Sequence, residues 1–425
     1  MGRAKLNGQS GGAKINGIID SYILQTGENV SVGDFVEFLK SISAGSRSAL
    51  NSSSTNGGTC AVAINSQQVL VVYKDDASYG VAQVLTIVGA TIIAGAKYVF
   101  NSYASTNQVT VTLLTSNTAI VAYDGGGYGG ARTLAINGSA ITVGPENVFR
   151  ASCNCSYISL VVLTSTSLVA IFRNDGAGCM GSAYVLTISG TTITYAGGVN
   201  FSGVQASYIS AVALSPTSIF VVFKDDNNNR MRSIVLTING STITPGTILN
   251  TMLPSPAYFS VVALSSTKVL IVFVDNGGYV KAFIQNISGT TITSCGAVSF
   301  GGVANSYTKA ILVSATSVLV LYCNNTLSLG TSMILKIAGN NILLGDPIIF
   351  NSDGYAIQNI SVGLLPSTLI CPIMYVTCNA TYYAYSQVLL LAKTAKKSAN
   401  IMSINGVTKT KGSAGETIKA YTLAD

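Results

Sequence analysis

The sequence contains no histidine and no tryptophan, and only 9% of its 425 residues are charged. An ordinary globular domain is about 25% charged. Without histidine, the Ser-His-Asp and Cys-His nucleophile systems are excluded, together with most zinc sites. The eight cysteines form no CxxC pair, and several lie within apolar segments. We therefore expect buried free thiols, no metal and no cofactor.

Charge and hydropathy exclude two further classes of partner. The net charge is +7, but the basic residues are spread along the chain, so we expect no nucleic-acid-binding surface. The longest apolar runs, such as residues 269–274, are much shorter than the roughly 18 residues that span a bilayer, so we expect no membrane insertion. The basic start of the chain lacks the apolar segment of a secretory signal, which predicts a protein made in a cytoplasm.

The dominant feature of the sequence is an apolar segment that ends in an aromatic residue and recurs seven times. The aromatic residues lie 49 to 53 positions apart: Tyr73, Tyr123, Phe172, Phe223, Phe273, Tyr322 and Tyr375. A regular period of this length indicates a repeat architecture. We number the copies as repeats 1 to 7 in chain order.

Each repeat contains four strand-like segments separated by short polar turns. In repeat 4 these segments are residues 208–215, 218–225, 232–238 and 241–249. The second segment is apolar without alternation, so we expect its strand to be buried on both faces, whereas the third and fourth alternate as outer strands do. A glycine between the third and fourth segments, such as Gly240 after Asn239, predicts a type I′ hairpin turn.

Four antiparallel strands per repeat, with almost no helical periodicity, predict an all-β fold. The fold class we expect is a seven-bladed β-propeller with four-stranded antiparallel blades over residues 46–394. Such a ring must close, and residues 48–51 align with the ends of fourth strands such as residues 98–101. We therefore expect residues 46–51 to supply the outer strand of the last blade. The alternative is that residues after Lys393 complete this blade themselves.

Residues 1–45 and 395–425 lie outside the repeat, and each segment has the pattern of strand, polar turn with glycine, strand. Ring closure brings the two ends of a propeller chain close together. We therefore predict that both termini build a small β docking module beside the propeller. Two independent tails are the alternative.

Two terminal segments carry a resemblance to known proteins. Residues 30–38 (VSVGDFVEF) and 406–421 (GVTKTKGSAGETIKAY) resemble terminal segments of phage and prophage structural proteins from Gram-positive bacteria. In those proteins such segments belong to small β-barrel modules of head-decoration or head-fibre proteins. The resemblance implies a virion protein that is made in the bacterial host cytoplasm and docks on other capsid or tail proteins. The residues expected to dock it on the particle are Asp34, Phe35, Glu37, Phe38, Gly415, Glu416 and Ile418.

Acidic side chains follow the recurring aromatic residue in several repeats, among them Asp75, Asp225 and Asp275. One interpretation is a ring of carboxylates that binds a cation or a sugar at one face. The other, which we favour, is that these residues stabilise turns through hydrogen bonds to the backbone. A glycosidase needs a pair of carboxylates, and no pair stands out in the sequence. We therefore assign no catalytic residue and expect no enzyme.

The 21 tyrosines suit ligand recognition, because the side chain is large, rigid and polar at its tip. Tyr79, Tyr128 and Tyr279 lie in a variable loop, and with the three aspartates they are the predicted ligand-binding residues. A second set begins the first strand of successive repeats, and for it we favour a packing role: Tyr157, Tyr208, Tyr258 and Tyr307.

These observations favour a non-enzymatic surface protein of a phage or prophage particle. The terminal module would dock it, and the propeller would face outward towards host-surface glycans. Within this interpretation, a capsid decoration protein or head fibre competes with a tail receptor-binding protein. A glycan-active enzyme and a lectin without a particle are the remaining alternatives.

Overall fold

The computed structural model describes residues 3–9, 12–19, 22–24, 29–30, 36–44, 48–50, 58–103, 106–302, 305–324, 327–351, 356–365, 370–378, 383–396 and 417–419. Within these ranges the chain forms β-strands and one short 3₁₀ turn at Asp175–Ala177, so the fold is all-β, as predicted. The described part of the chain contains no helix with the length and apolar character needed to cross a membrane.

The strands are numbered in chain order. The first six are β1 (Arg3–Gln9), β2 (Gly12–Ile19), β3 (Tyr22–Leu24), β4 (Asn29–Val30), β5 (Val36–Ala44) and β6 (Ser48–Ala49). Repeats 1 and 2 contain β7 (Thr59–Ala63), β8 (Gln68–Lys74), β9 (Gly80–Val88), β10 (Thr91–Asn101), β11 (Asn107–Thr115), β12 (Thr118–Asp124), β13 (Gly129–Asn137), β14 (Ala140–Val143) and β15 (Asn147–Arg150). Repeats 3 and 4 contain β16 (Cys155–Thr164), β17 (Ser167–Asn174), β18 (Met180–Ser189), β19 (Thr192–Ser215), β20 (Ser218–Asp225), β21 (Arg230–Asn239), β22 (Thr242–Pro245) and β23 (Leu249–Pro254).

The remaining strands belong to repeats 5 to 7 and to the end of the chain. Repeats 5 and 6 contain β24 (Ala257–Ser265), β25 (Lys268–Val274), β26 (Val280–Ser288), β27 (Thr291–Phe300), β28 (Asn305–Ser314), β29 (Ser317–Asn324), β30 (Leu329–Ala338), β31 (Asn341–Leu344) and β32 (Ile348–Asn351). Repeat 7 contains β33 (Ala356–Val362), β34 (Ile370–Cys378) and β35 (Tyr383–Lys396), and the last strand is β36 (Thr417–Lys419).

Each repeat forms an antiparallel meander in which consecutive strands pair. Repeat 1 has the order β10-β9-β8-β7, and repeat 5 has the order β24-β25-β26-β27. In repeats 2, 4 and 6 the fourth strand is split in two, and both pieces pair with the third strand. The long strand β19 is the fourth strand of repeat 3 and the first strand of repeat 4, so one continuous strand joins two neighbouring sheets.

In repeats 1 to 6 the second strand is buried on both faces, which confirms the expectation from its unbroken apolar sequence. In β20, Ile219 to Phe223 have no exposed surface, and β8, β12 and β25 show the same pattern. The recurring aromatic residue at the end of this strand is fully buried in most repeats, as at Tyr123 and Phe223. One sheet therefore needs a neighbouring sheet on each side to cover it.

The hairpin between the third and fourth strands turns on a glycine with left-handed backbone geometry. Gly138 has a φ of 60° and Gly240 a φ of 58°. In repeat 4 the glycine is the first of two loop residues, because Asn239 already pairs with Thr242. The second loop residue, Ser241, does not adopt a positive φ. This is the pattern of a type II′ turn, so the predicted type I′ turn is wrong, although the glycine is where it was expected.

The first strands of the repeats contact one another in cyclic order. β7 contacts β11, the contacts continue through β16, β19, β24 and β28 to β33, and β33 in turn contacts β7. Sheets joined in this way through their innermost strands form a β-propeller. The central region of the chain therefore has this fold.

Serine side chains bridge neighbouring first strands. The backbone N–H of Ala310 donates to Oγ of Ser260 at 2.9 Å, which links repeats 5 and 6. The N–H of Ala61 donates to Oγ of Ser361 at 2.8 Å, which links repeats 1 and 7. Repeats at opposite ends of the array are thus joined by the same contact as two consecutive repeats.

Strand β6 pairs with β35 of repeat 7. Ala49 lies opposite Tyr385, and Ser48 lies opposite Ser386. The next residue, Leu50, is 5% exposed and packs in an apolar cluster with side chains of repeats 1 and 7. The segment that was expected to supply a strand to the last repeat is therefore hydrogen-bonded to that repeat, and β5 belongs to the same sheet.

The chain divides into two compact units, one of Met1–Ser41 with Leu391–Asp425 and one of Ile42–Leu390. In the first unit, β1 to β4 and β36 form one antiparallel sheet. Within it, Ala4 lies opposite Ile418. Strands from the two ends of the chain thus pair in this unit.

The cysteines whose side chains are described form no disulfide with one another: Cys60, Cys153, Cys155, Cys179, Cys295, Cys323 and Cys371. Burial raises the pKa of Cys371 to about 12, so its thiol stays protonated at neutral pH. A buried protonated thiol acts as a small apolar side chain. The side chain of Cys378 lies outside the described residues.

The serine bridges give a test of how strongly the two ends of the repeat array are coupled. Ser361→Ala and Ser260→Ala are each expected to lower the free energy of unfolding by about 1–3 kcal/mol, because each leaves a buried backbone N–H without its acceptor. Urea unfolding followed by circular dichroism measures the effect. The matched control is Ser139→Ala in an exposed hairpin loop, which should change stability little. A loss in Ser260→Ala but not in Ser361→Ala would show that the contact between repeats 1 and 7 contributes nothing.

Candidate functional site

Six of the first strands contain a β-bulge near their start. The register shifts in β11, β16, β19, β24, β28 and β33, and a bulge of this kind re-aims a side chain. One residue of each bulge has a φ between 48° and 55°: Gln108, Tyr157, Tyr208, Tyr258, Tyr307 and Asn359. These residues occupy the same position in their repeats, and Gly58 occupies it in repeat 1.

Tyrosine is an unusual choice at this backbone angle. The left-handed region crowds Cβ against the backbone, and among residues other than glycine it favours Asn and Asp. Glycine would adopt the same φ without strain, yet the chain places tyrosine there in four repeats. A strained position that recurs in this way indicates that the side chain itself is required at that point.

The four bulge tyrosines, Tyr157, Tyr208, Tyr258 and Tyr307, form what we call the tyrosine arc. Neighbouring ring centroids are 5.2 Å, 5.1 Å and 4.7 Å apart in this order. Favourable aromatic pairs have centroids about 4.5–7 Å apart. Each ring is therefore held by its neighbours, while all four remain partly exposed.

The tyrosine arc forms one side of a cavity of about 560 Å³, which we call the central mouth because the first strand of every repeat lines it. On its other side lie Gly58, Gln108 and Asn359, the bulge-position residues of repeats 1, 2 and 7. One side of the central mouth is thus lined by aromatic rings. The other side is lined by two amide side chains and by a glycine, which has no side chain.

The hydroxyl groups of two arc tyrosines, Tyr157 and Tyr208, are neutral at physiological pH. Burial, and after it the neighbouring Tyr258 and Tyr157, raise the pKa of Tyr208 to about 12. Burial also raises the pKa of Tyr157, although the Arg173 guanidinium opposes this shift. That guanidinium lies 6.0 Å from the centre of the Tyr157 ring and is ion-paired with Asp175 at 2.7 Å. These two phenols are therefore available as hydrogen-bond donors as well as acceptors.

The loop tyrosines predicted to bind ligand do not line the central mouth. Tyr79 and Tyr279 lie at the ends of the loops between the second and third strands of repeats 1 and 5, and Tyr279 is 41% exposed. Tyr128 lies in the same loop of repeat 2, where its hydroxyl donates to Glu146 at 3.1 Å. The structure thus places these three residues in three separate repeats.

The three predicted aspartates are bound within their own loops. Each carboxylate accepts hydrogen bonds from backbone N–H groups two to four residues further along the chain. Asp225 also pairs with Arg232 at 2.7 Å, and Asp275 pairs with Lys281 at 2.8 Å. Asp75 makes the same backbone contacts in repeat 1. This is the turn-stabilising arrangement, and none of the three carboxylates lines the central mouth.

Burial opposes the ionisation of Asp225, but Asn228, the Arg232 guanidinium and the loop N–H groups together lower its pKa below the usual value. Burial acts in the same way on Asp275, and Lys281 with the loop N–H groups lowers the pKa of this carboxyl too. Both carboxylates are therefore ionised at neutral pH and already paired. No three His, Cys, Asp or Glu side chains of the described residues converge as a metal site would require.

Of the predicted docking residues, four lie outside the described residues: Asp34, Phe35, Gly415 and Glu416. The backbone is described for the other three, with Glu37 and Phe38 in β5 and Ile418 in β36. Their role stays a prediction.

Sequence reasoning favoured packing for the tyrosine arc, and the structure shows both ring-to-ring packing and exposure to the central mouth. It did not single out Gln108 or Asn359 on the opposite side. The spacing of about 50 residues was a usable signal, because residues at equivalent repeat positions converge where the first strands meet. A positive φ turns these side chains into the cavity, and nothing in the sequence predicts a positive φ at a tyrosine.

No family model and no curated protein sequence matches the chain. Several solved structures share its fold at low identity. The BP39L lectin from Burkholderia pseudomallei aligns with a TM-score of 0.56 at 12% identity, over 78% of this chain and 96% of the lectin. A protein from Lactobacillus plantarum aligns at 0.52 and 12% identity, over 70% and 86% of the two chains. A protein of unknown function from Dyadobacter fermentans aligns at 0.51 and 11% identity, over 83% and 99%. These likenesses show the fold.

Proposed function

We propose that the chain is a non-enzymatic β-propeller that binds a saccharide in the central mouth. The observation that carries the proposal is the tyrosine arc, held at a strained backbone angle opposite amide side chains. Tyrosine rings pack against the apolar face of a sugar ring, and amide and phenol groups bond its hydroxyls. The cavity of about 560 Å³ is within the range of roughly 300–1,000 Å³ for small-molecule sites.

One structural neighbour, BP39L, is a lectin, which supports the proposal by analogy of fold. The lining of the central mouth supports binding over hydrolysis. A glycosidase needs two carboxylates about 5–9.5 Å apart around the scissile bond. No Asp or Glu is among the described residues that line this cavity. The alternative of a glycan-active enzyme therefore has no candidate carboxylate pair among the lining residues that the structure describes.

The proposed architecture is a closed ring of seven blades with a separate module built from both termini. The cyclic contacts of the first strands support the ring, and so does the serine bridge from Ser361 to Ala61. The pairing of β1 with β36 supports a common terminal module.

We further propose that this terminal module docks the protein on a phage or prophage particle, as a capsid decoration protein or head fibre. The support is the resemblance of residues 30–38 and 406–421 to terminal segments of such proteins. A tail receptor-binding protein is the competing role. In both roles, a saccharide-binding propeller would meet glycans of the host surface.

The central mouth is tested by removing single rings from the arc. Tyr208→Ala and Tyr258→Ala are expected to weaken saccharide binding at least about tenfold, since tenfold corresponds to about 1.4 kcal/mol and each variant loses a stacking surface. An array of bacterial surface glycans identifies a ligand, and calorimetry with that ligand measures the affinities. Tyr208→Phe keeps the ring and should retain most of the binding.

The matched control is Tyr195→Ala, which removes a tyrosine that is 45% exposed on the outer part of repeat 3. It should leave the affinity unchanged. Equal loss in Tyr195→Ala and Tyr208→Ala, or full binding by both arc variants with unchanged thermal unfolding, would contradict the location of the site. Steady release of a cleaved sugar by the wild-type protein would contradict a non-enzymatic function.

The particle role is tested by quantitative mass spectrometry and immunogold electron microscopy of purified particles from the bacterium that carries the gene. We expect the chain on the capsid surface in many copies per particle. A few copies confined to the tail tip would assign it to receptor binding at the tail. Absence from mature particles would contradict a virion role, and saccharide binding would stand independently.

A further inference from the structure

The residue two positions after the bulge residue is of one type in most repeats, but in repeat 6 it is charged. In each repeat this residue pairs across the first hairpin with the residue just before the recurring aromatic, as Ser260 does with Val272. It is a small hydroxyl residue in five repeats: Thr110, Ser159, Ser210, Ser260 and Ser361. Repeat 1 has Cys60 at this position, and repeat 6 has Lys309, which pairs with Leu321.

In repeats 5 and 7 the hydroxyl at this position accepts a hydrogen bond from the next repeat in the ring. Oγ of Ser260 accepts the backbone N–H of Ala310 in the next repeat at 2.9 Å, and Oγ of Ser361 accepts that of Ala61 at 2.8 Å. A lysine ammonium has three donors and no acceptor, so Lys309 cannot make this contact. Repeat 6 thus gives up a bridging acceptor at this position and gains a positive charge.

Lys309 lines the central mouth, and it is the one basic residue among the described residues that do so. The same set contains no acidic residue. Among the described residues no carboxylate lies within ion-pair distance of Lys309. An unpaired cation in a partly enclosed site attracts an anion more strongly than one in open solvent, because the local dielectric is lower.

The acidic groups near the arc do not cancel this attraction, because they are already paired. Asp175 is bonded to Arg173 at 2.7 Å. Asp226 accepts from the Ser207 hydroxyl at 2.6 Å and lies 3.7 Å from the Lys224 ammonium.

We infer that the central mouth selects an acidic saccharide, one whose carboxylate or phosphate oxygen contacts Lys309 while its ring packs on the tyrosine arc. The inference rests on the proposed function and names the ligand class of the same site. One Lys309 per chain predicts one acidic group bound per propeller. The shared chemistry is an oxyanion on a sugar ring, and carboxylate and phosphate are distinguished by the ligands used in the test.

The test compares ligands that differ only in the acidic group, on the full chain, by saturation-transfer NMR titration. Methyl glucuronide is paired with methyl glucoside, and glucose 6-phosphate is paired with glucose. At low salt we expect the acidic member of at least one pair to bind about tenfold more tightly or better, and this preference should shrink as ionic strength rises. The pair that shows the preference identifies carboxylate or phosphate as the preferred group.

The variant is Lys309→Ser, which restores the residue found at this position in repeats 3, 4, 5 and 7 and so should fold. It should abolish the preference for the acidic member and change the affinity for the neutral member less than about twofold, since only the ion pair is removed. Lys309→Arg keeps the charge and should keep the preference.

Each outcome separates this inference from the proposed function. Equal affinity for acidic and neutral members, or a preference that persists in Lys309→Ser, would overturn the acidic ligand class and leave saccharide binding intact. Both ideas are supported if Tyr208→Ala weakens the binding of both members of a pair but keeps their affinity ratio, while Lys309→Ser loses the preference for the acidic member. Failure of all four ligands to bind wild-type protein would overturn the acidic ligand class, and the glycan array decides separately whether the central mouth binds any saccharide.

Discussion

The fold depends on one constraint: the second strand of each repeat is apolar on both faces, so no sheet can cover itself. Ile219 to Phe223 have no exposed surface only because sheets lie on both sides of repeat 4. A linear stack would leave two sheets with one bare face each. The contacts between β33 and β7, with the bridge from Ala61 to Ser361, remove both bare faces at once. Burial thus favours a cyclic order independently of any individual hydrogen bond.

Cyclic order determines where a binding site can form. Equivalent residues of the outer loops are carried apart by the radial arrangement, and each must satisfy its polar groups locally, as Asp225 does with Arg232. Equivalent residues at the start of the first strands converge instead, so one residue per repeat is enough to line a cavity. The bulge then orients the side chains, because it turns Tyr208 and its equivalents into that cavity at a cost in backbone strain.

The repeat, the doubly buried second strand and the hairpin glycines were all predictable, because each follows from a local pattern of apolar residues or from the backbone freedom of glycine. The turn type was not, because a shift of one residue decides whether Asn239 belongs to the turn or to the strand. The tyrosine arc was visible as a spacing but ambiguous as a function. A tyrosine at the start of a strand indicates packing unless its φ is known, and nothing in the composition around Tyr208 predicts a positive φ.

A ring of repeats has its lowest free energy, as a purely structural object, when each repeat makes the same contacts. Positions at which one repeat differs from the others therefore indicate function where they lie close together. In this chain such positions lie together in the central mouth. Tyrosine occupies the bulge position in repeats 3 to 6, while Gly58, Gln108 and Asn359 occupy the equivalent position in the others. Two positions further along the strand, repeat 6 has Lys309 instead of a hydroxyl residue. Repeat 6 therefore lacks a bridge of the kind that Ser260 makes in repeat 5. A packing role does not require an aromatic side, an amide side and a single charge. The proposed ligand, with a ring face, hydroxyls and one acidic group, would contact all three, and it would bind in one orientation because the cavity lacks the symmetry of the ring that forms it.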